Sequence, residues 1–239
     1  MTNNHLKIAW RLMLRHKLHT SLNVAGLVLG ISCFVLLSFF VTRELTYDSF
    51  HKRSDDIYRV LLKEDYGEGQ EFFNAVTPLI FQGFLRENFD QLEEVVQITT
   101  INSQVNSGDQ RFNEPIAVLS PGFFNVFDFP MDTRGEKNVL SMQDAVLLSE
   151  AYAKKYFGSK DPVGEILTIR LNDVPRDFTV RGIMNELPPN TGFEFDMAIS
   201  NLNNPNLFSA RAMEAWFNVN AETYVMLKEN SFITSIEES

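Results

Sequence analysis

From Leu22 to Thr42 the chain runs through 21 residues without a charged side chain (LNVAGLVLGISCFVLLSFFVT). Coiled as an α-helix at about 1.5 Å per residue, that is roughly 30 Å, the thickness of a bilayer's hydrocarbon core. A helix buried in a soluble core is rarely so apolar over such a length. Four cations (Lys7, Arg11, Arg15, Lys17) and no acid precede the run, which orients it with its N-terminus in the cytoplasm. A cleaved signal peptide fits less well. The 21-residue leader is long, the apolar stretch exceeds a usual signal core, and Thr-Arg-Glu-Leu follows without a small-x-small cleavage site. The run therefore reads as a retained transmembrane helix over 22–42 that carries an extracytoplasmic domain.

Charge divides the chain at the same place. Residues 1–21 are +4, so the remaining 17 basic and 31 acidic side chains make the rest −14. An acidic body excludes nucleic acid as a partner, because phosphate contacts need clustered Lys and Arg. The one cysteine, Cys33, sits inside the apolar run as a small membrane-facing side chain. The outer domain accordingly has no intramolecular disulfide and no cysteine zinc site, which suits a bacterial periplasm.

Gly26 and Gly30 are spaced as GxxxG, a pattern that lets a second helix approach closely and that is also common by chance in membrane helices. Ahead of the membrane, Leu6, Ala9, Trp10 and Met13 fall on one helical face and Lys7, Arg11 and Arg15 on another. This predicts an amphipathic cytoplasmic lead-in over 1–21, with Trp10 at headgroup depth. Ile8 and Leu12 break the pattern, so a plain basic topology signal is the competing reading.

Beyond the membrane, strand and helix signals alternate. Asp56–Lys63 predicts a strand with Tyr58, Val60 and Leu62 on one face. Thr77-Pro78 predicts a capped helix start with Ile80, Phe81, Phe84 and Leu85 as its buried stripe. Strands are expected over Val95–Val105, ending in the turn residues Asn106 to Asp109, and over Ile116–Leu119. Ser120-Pro121 predicts a second capped start, for a short Phe-rich helix. This β-α-β-β-α order suits a two-layer α+β sandwich. A smaller insertion follows: a strand at Ala145–Leu148, and a helix capped by Ser149 that stops at Gly158. A hairpin of Ile166–Leu171 with Asp177–Met184 then turns across Asn172-Asp173, and Pro188-Pro189 makes a stiff exit. A strand near Phe195–Ser200, an Asn-rich loop over Asn201–Asn206 and a strand at Ala221–Lys228 complete the reading.

Catalytic signatures are missing. No phosphate-binding loop, G-x-S-x-G elbow, HExxH or EF-hand loop occurs in the sequence. His51 stands among Asp48, Asp55 and Asp56, a set that reads as a solvated or capping cluster rather than a metal site. Glu186, Glu194 and Asp196 could imitate a carboxylate pair, yet acids flanking a Pro-Pro turn are the background of an acidic domain. No catalytic residue, cofactor site or metal site is assigned, and the chain is not read as an enzyme.

Four stretches carry a family resemblance. They are NVAGLVLGISCFVLL with ELTYDSFHKRSDDIYRV (Asn23 to Val60), VLSPGFFNVFDFP (Val118 to Pro130), LLSEAYAKKYFGSKDPVGEIL (Leu147 to Leu167) with FTVRGIMNELPPNTGFEFDMAIS, and WFNVNAETYVMLKEN near the end. In this order they resemble the N-terminal part of a MacB/FtsX-like ABC transporter permease of the Bacteroidetes type. The resemblance implies a two-lobed periplasmic core domain over 45–229. A porter-like α/β sandwich would take 45–138 and 188–229, and a smaller β-rich, sabre-like lobe 139–187. It also implies a separate ABC-type ATPase subunit, a permease dimer, a periplasmic partner, and placement in the bacterial inner membrane. ATP hydrolysis in the cytoplasm would then move the periplasmic domains by mechanotransmission. Lys7, Trp10, Arg11 and Arg15 would form the cytoplasmic elbow, and Gly26 and Gly30 would pack the first membrane helix.

The sequence ends at SFITSIEES (230–239 holding the start of a stalk), where such permeases continue to further membrane helices. The expectation is a fragment or a truncated product, unable to transport alone. A single-pass sensor or tethered binding module is the alternative.

Overall fold

The computed structural model describes residues 2–65, 67, 71–108, 110–136, 138–186, 191–229 and 231. It divides into two compact units, 1–47 and 48–239. The Pro188-Pro189 exit, Asp109 and nearly all of the stalk start at 230–239 lie outside the described residues.

The first unit holds two helices, α1 (Thr2–Arg15) and α2 (Lys17–Leu45). His16 leaves helical geometry between them, at φ −110° and ψ 56°. Residues 2–15 are thus a helix of their own, and residues 17–21 run on into the long apolar helix. At 29 residues, α2 is about 44 Å long and overshoots the apolar run at both ends. Its mean hydropathy reaches 2.6, and no residue of it is buried by the rest of the described chain. An apolar rod with no protein cover needs lipid or neighbouring helices around it.

The second unit runs β1 (Ile57–Arg59), β2 (Leu62–Asp65), β3 (Glu71–Asn74), β4 (Thr77–Pro78), α3 (Phe81–Asn88), β5 (Leu92–Ser107), β6 (Gln110–Leu119), α4 (Phe123–Val126), β7 (Met131–Asp132), β8 (Ala145–Ser149), α5 (Glu150–Phe157), β9 (Ile166–Leu171), β10 (Val174–Met184), β11 (Met197–Ser200), α6 (Asn204–Leu207), α7 (Ala210–Met213) and β12 (Val219–Leu227). Among the described residues, ten strands share one mixed sheet in the order β1-β12-β5-β6-β11-β8-β10-β7, with β4 on β12. The remaining pair, β2 and β3, is a separate hairpin. The α+β class expected from the sequence is the class observed.

The sheet's organising feature is β9. It pairs with β10 and also with the far end of β5, at Val105↔Ile169 and Asn106↔Thr168. The path β5-β6-β11-β8-β10-β9 therefore closes into a ring. Alternate side chains of a strand point to opposite faces. Ile116 and Val118 of β6, Val146 and Leu148 of β8 and Ile199 of β11 enter one core with Leu167, Ile169 and Phe178, covered by Ala153 and Tyr156 of α5. Their neighbours Ala117, Leu119, Leu147 and Ala198 face the other way, into a core with Phe123, Phe127, Phe129 and Phe193. Strands buried on both faces read as unbroken apolar runs, and Ala145–Leu148 is buried throughout. A third cluster, Leu85, Leu92, Val95, Val225 and Leu227, lies under α3. The segment 139–187 supplies β8, β9 and β10 of the ring, while β5, β6 and β11 come from outside it.

Several local expectations change in three dimensions. Thr77-Pro78 does not start α3, which begins at Phe81; both residues are a short strand on β12. The buried Thr77 hydroxyl donates to the Ala221 carbonyl at 3.0 Å. Ser120 caps nothing either: α4 follows Gly122, and the Ser120 hydroxyl accepts from the Gln97 N–H at 2.8 Å and the Gln82 amide at 2.9 Å. Asp56–Lys63 splits into β1 on the main sheet and β2 in the hairpin. The Asn-rich loop is helical: Ser200 accepts from the Leu202 N–H, a 3-10 turn follows, and α6 continues from it. Ser149, Gly158 and the Asn172-Asp173 turn behave as the sequence indicates, the last with positive φ at both residues.

Candidate functional site

An open cleft of about 700 Å³ lies in the outer unit on the Phe-rich face of the sheet. Its floor is Thr100 of β5 with Pro115 and Ala117 of β6. β11 pairs with β6 only from Ala117 to Leu119. Pro115 has no N–H to offer a neighbouring strand, so the ladder stops there and the chain before Met197 stands off as a wall. Phe193, Glu194, Phe195 and Asp196 form that wall, facing Ser149, Glu150 and Ala151 on one side and Met184, Asn185 and Glu186 on another.

Each wall is anchored. Ser149 donates from its hydroxyl to Asp196 Oδ1 at 2.6 Å, and its N–H donates to the Asp196 carbonyl at 2.8 Å. The same hydroxyl accepts from the Tyr152 N–H, capping α5 at 3.1 Å. One serine thus fixes both the first turn of α5 and the wall opposite. Asn185 is held by its N–H to the Pro130 carbonyl at 3.0 Å, and Thr191 accepts from the Phe193 N–H.

Across β6 from the cleft lies a second polar cluster. Glu114, 5% exposed, accepts from the Tyr152 hydroxyl at 2.6 Å and from Lys155 Nζ. Lys155 also sits over the rings of Tyr152 and Phe112, at 4.6 and 4.8 Å. Burial pushes the Glu114 carboxyl upward, but the hydrogen bonds from Lys155 and Tyr152 outweigh it and hold the group below its ordinary value. Burial and the neighbouring Glu114 together push the Tyr152 phenol strongly upward. The cluster ties α5 to β6 and so places Glu150 at the mouth of the cleft.

The first residues of the outer unit form a third constellation. Asp48 accepts from the Gly192 N–H at 2.7 Å. His51, 3% exposed, lies against the rings of Phe50, Phe127 and Phe129 at centroid distances of 4.0, 5.2 and 5.8 Å. Its Nδ1 accepts from the Asp128 N–H at 3.0 Å, which assigns the ring proton to Nε2. That Nε2 is buried with no hydrogen-bond partner among the described residues. Burial lowers the His51 pKa from 6.5 against the opposing pull of Asp48 and Asp128. Of the expected solvated or capping cluster, His51 is instead buried as an aromatic latch, while Asp55 is exposed and Asp56 is engaged by Arg53. Among the described residues no three His, Cys, Asp or Glu side chains converge as metal ligands.

The remaining residues singled out from sequence fall in the first unit. Lys7, Trp10, Arg11 and Arg15 lie on α1, with Trp10 65% exposed and the Lys7 side chain outside the described residues. Gly26 and Gly30 lie on α2, and a methyl group built on either meets nothing within 4 Å. Glu186, Glu194 and Asp196 do come together, along one cleft. Glu150 joins them without having stood out in the sequence, because its place depends on the long-range pairing of β8 with β11.

The sequence profile of the MacB-like periplasmic core domain matches residues 20–239. Among solved structures, a domain of a Porphyromonas gingivalis protein described as a permease superposes with a TM-score of 0.62 at 20% identity, covering 79% of each chain. The periplasmic region of MacB from Actinobacillus actinomycetemcomitans superposes with a TM-score of 0.54 at 14% identity, covering 77% of this chain and 79% of that one. At such identities these likenesses establish a shared fold. No curated protein sequence matches the chain.

Proposed function

We propose, from the premise that this chain belongs to the MacB-like periplasmic core domain family, that it is the N-terminal part of a MacB/FtsX-type ABC permease subunit. In this reading the chain sits in the bacterial inner membrane with α1 in the cytoplasm and the outer unit in the periplasm. The observation that carries the reading is the joint presence of an uncovered 29-residue apolar helix and the family's core domain in one chain. A separate ABC-type ATPase would hydrolyse ATP, and two permease subunits would pair around it. Lys7, Trp10, Arg11 and Arg15 would meet the ATPase as the elbow. Gly26 and Gly30, bare in this chain, would pack against neighbouring helices.

Mechanotransmission has a physical route in this reading. The outer unit's first and last segments are pinned to each other: Arg53 donates from Nη2 to the Leu227 carbonyl at 2.7 Å, and β1 pairs with β12. A pull on the start of the unit would therefore reach the central strand β5 through β12. Within 45–229 the smaller lobe would be 139–187, which builds the closed ring together with β5, β6 and β11, and the porter-like part 45–138 and 188–229.

The test is co-purification. The permease gene is expressed with the ATPase gene that accompanies it, and the complex is isolated from inner membranes. Recovery of the ATPase, reduced when Trp10 and Arg11 are both replaced by Ala, supports the assignment. Recovery of the chain from inner membranes with no ATPase bound to wild type would sink it.

A further inference from the structure

We infer that the cleft beside Pro115 binds an organic cation with an apolar body, such as a short peptide carrying lysine or arginine beside an aromatic side chain. The inference deepens the permease reading by naming a ligand class for its periplasmic domain. It rests on the cavity's size, lining and charge.

A volume near 700 Å³ lies in the range that accommodates a small ligand or a few peptide residues. The lining divides in two. Half-buried Phe195 supplies apolar surface next to the sheet, backed by Phe193 in the core, while Glu150, Glu186, Glu194 and Asp196 stand around it. Among the described residues no Lys, Arg or His lines the cleft, and none of the four carboxylates is ion-paired. Elsewhere in this unit acids do find cations, as in Arg53–Glu93, Arg59–Glu222, Arg134–Asp161 and Lys155–Glu114. Four unpaired carboxylates around a shared apolar cavity make a concave negative field, which draws and retains positive ligands.

Geometry also selects the kind of cation. A divalent metal needs three or more donors within about 2.5 Å of one point, and the carboxylates are too dispersed to form such a cage. Dispersed acids match dispersed positive charge, such as ammonium or guanidinium groups on a flexible body. The aromatic wall adds contact area and a favourable face for the cation. An anionic ligand has nothing to pair with here.

The test uses the full 239-residue chain in nanodiscs of zwitterionic lipid, titrated calorimetrically with N-acetyl-Lys-Phe-Lys-amide. The same peptide with both lysines acetylated, and magnesium chloride, are the comparison ligands. Saturable binding of the charged peptide is expected, weakening as sodium chloride rises from about 0.05 to 0.5 M, where the screening length falls to a few Å. The acetylated peptide and magnesium should bind at least about tenfold more weakly. A variant with Glu150→Gln, Glu186→Gln and Glu194→Gln should lose about tenfold or more, a change of roughly 1.4 kcal/mol. These side chains are exposed and unpaired, so the variant should fold, and an unchanged circular dichroism spectrum verifies that it has. Phe195→Ala should weaken the charged peptide without altering its salt dependence. The inference is overturned if wild type shows no binding at millimolar peptide, if the acetylated peptide or magnesium binds as well as the charged one, or if the triple variant binds like wild type. Because no ATPase is present, such a failure removes the ligand class and leaves the permease assignment to stand or fall on co-purification.

Discussion

The ring of His51 and the backbone of Asp128 are joined by one hydrogen bond, 3.0 Å from the amide nitrogen to Nδ1. The bond exists only while Nδ1 keeps its lone pair, so protonation of the imidazole removes the acceptor and puts a charge among Phe50, Phe127 and Phe129. Burial accordingly lowers the His51 pKa from 6.5. The unfolded chain then binds more protons than the folded one between the lowered value and 6.5, and stability rises with pH across that window. The contribution is complete above pH 6.5 and is lost as pH falls toward the folded pKa. Urea unfolding of the outer unit, followed by Trp216 fluorescence in a Trp10→Phe background, should show a midpoint that drops as pH falls below about 6.5. His51→Asn, whose amide oxygen can replace Nδ1, should flatten this slope while lowering stability through lost ring contacts. An unchanged slope in His51→Asn would refute the latch.

Glu114 and Lys155 make a pair with unequal surroundings: the carboxylate is 6% exposed at its side chain, and the ammonium 35%. Removing the cation strands a buried charge, whereas removing the carboxylate's charge leaves an ammonium that can turn to water. Lys155→Met should therefore cost about 2–3 kcal/mol, less than for a fully enclosed pair. Glu114→Gln, which still accepts from Tyr152, should cost about 1 kcal/mol. Since the Glu114 pKa is lowered in the fold, its share of stability is present above pH 4.5 and lost as pH falls through the folded value. The order of the two variants at pH 7 is the decisive result, and equal costs would contradict it.

Local chemistry was legible where a residue's partners lie within a few positions. Ser149 caps α5 through Tyr152, Gly158 ends it, and Asn172-Asp173 turns the hairpin, all within the same short stretch. Thr77 and Ser120 carry the same cap-plus-proline signature, yet their hydroxyls are taken by Ala221 and by Gln97 and Gln82. These partners come from strands and a helix that assemble only in the tertiary fold, and that bonding outcompetes helix capping. The ring was hidden for the same reason: β5 meets β9 across more than 60 residues of sequence, and apolar periodicity carries no pairing partner. Three of the cleft's four acids were visible as a group, but not the Pro115 break in the ladder that opens the space they surround.

Ser149 serves two elements at once, so its truncation should exceed the loss of a simple cap. A lost N-cap alone costs about 1 kcal/mol. Ser149→Ala also removes the bond to Asp196, and about 1.5–2.5 kcal/mol in all is expected from urea midpoints. Asp196→Asn can still accept the serine proton and should retain most of the stability. A loss of less than about 0.5 kcal/mol in Ser149→Ala would show that the cleft wall stands without this bond.

Gly182 sits where β10 shifts register against β8, between Val180 and Gly182. A methyl group there would lie 3.0 Å from both Leu147 Cδ2 and Thr133 Cγ2, and 3.2 Å from the Asp132 carbonyl oxygen. The two side chains can give a little, but the carbonyl belongs to the β7 backbone paired at Ile183↔Asp132. Overpacking of this kind costs about 1–3 kcal/mol. Gly83 offers an internal comparison, since it lies within α3 and a methyl group there meets nothing within 4 Å. Alanine at that position should stabilise the helix by about 0.5–1 kcal/mol. Gly182→Ala and Gly83→Ala should thus move the urea midpoint in opposite directions. The same Trp216 signal serves for Gly182→Ala, while Gly83→Ala is better followed by circular dichroism, because Phe84 touches Trp216 at 5.3 Å between ring centroids. A stabilising Gly182→Ala would mean that β7 is free to move away from β10, and that the Phe-rich face is looser than its packing implies.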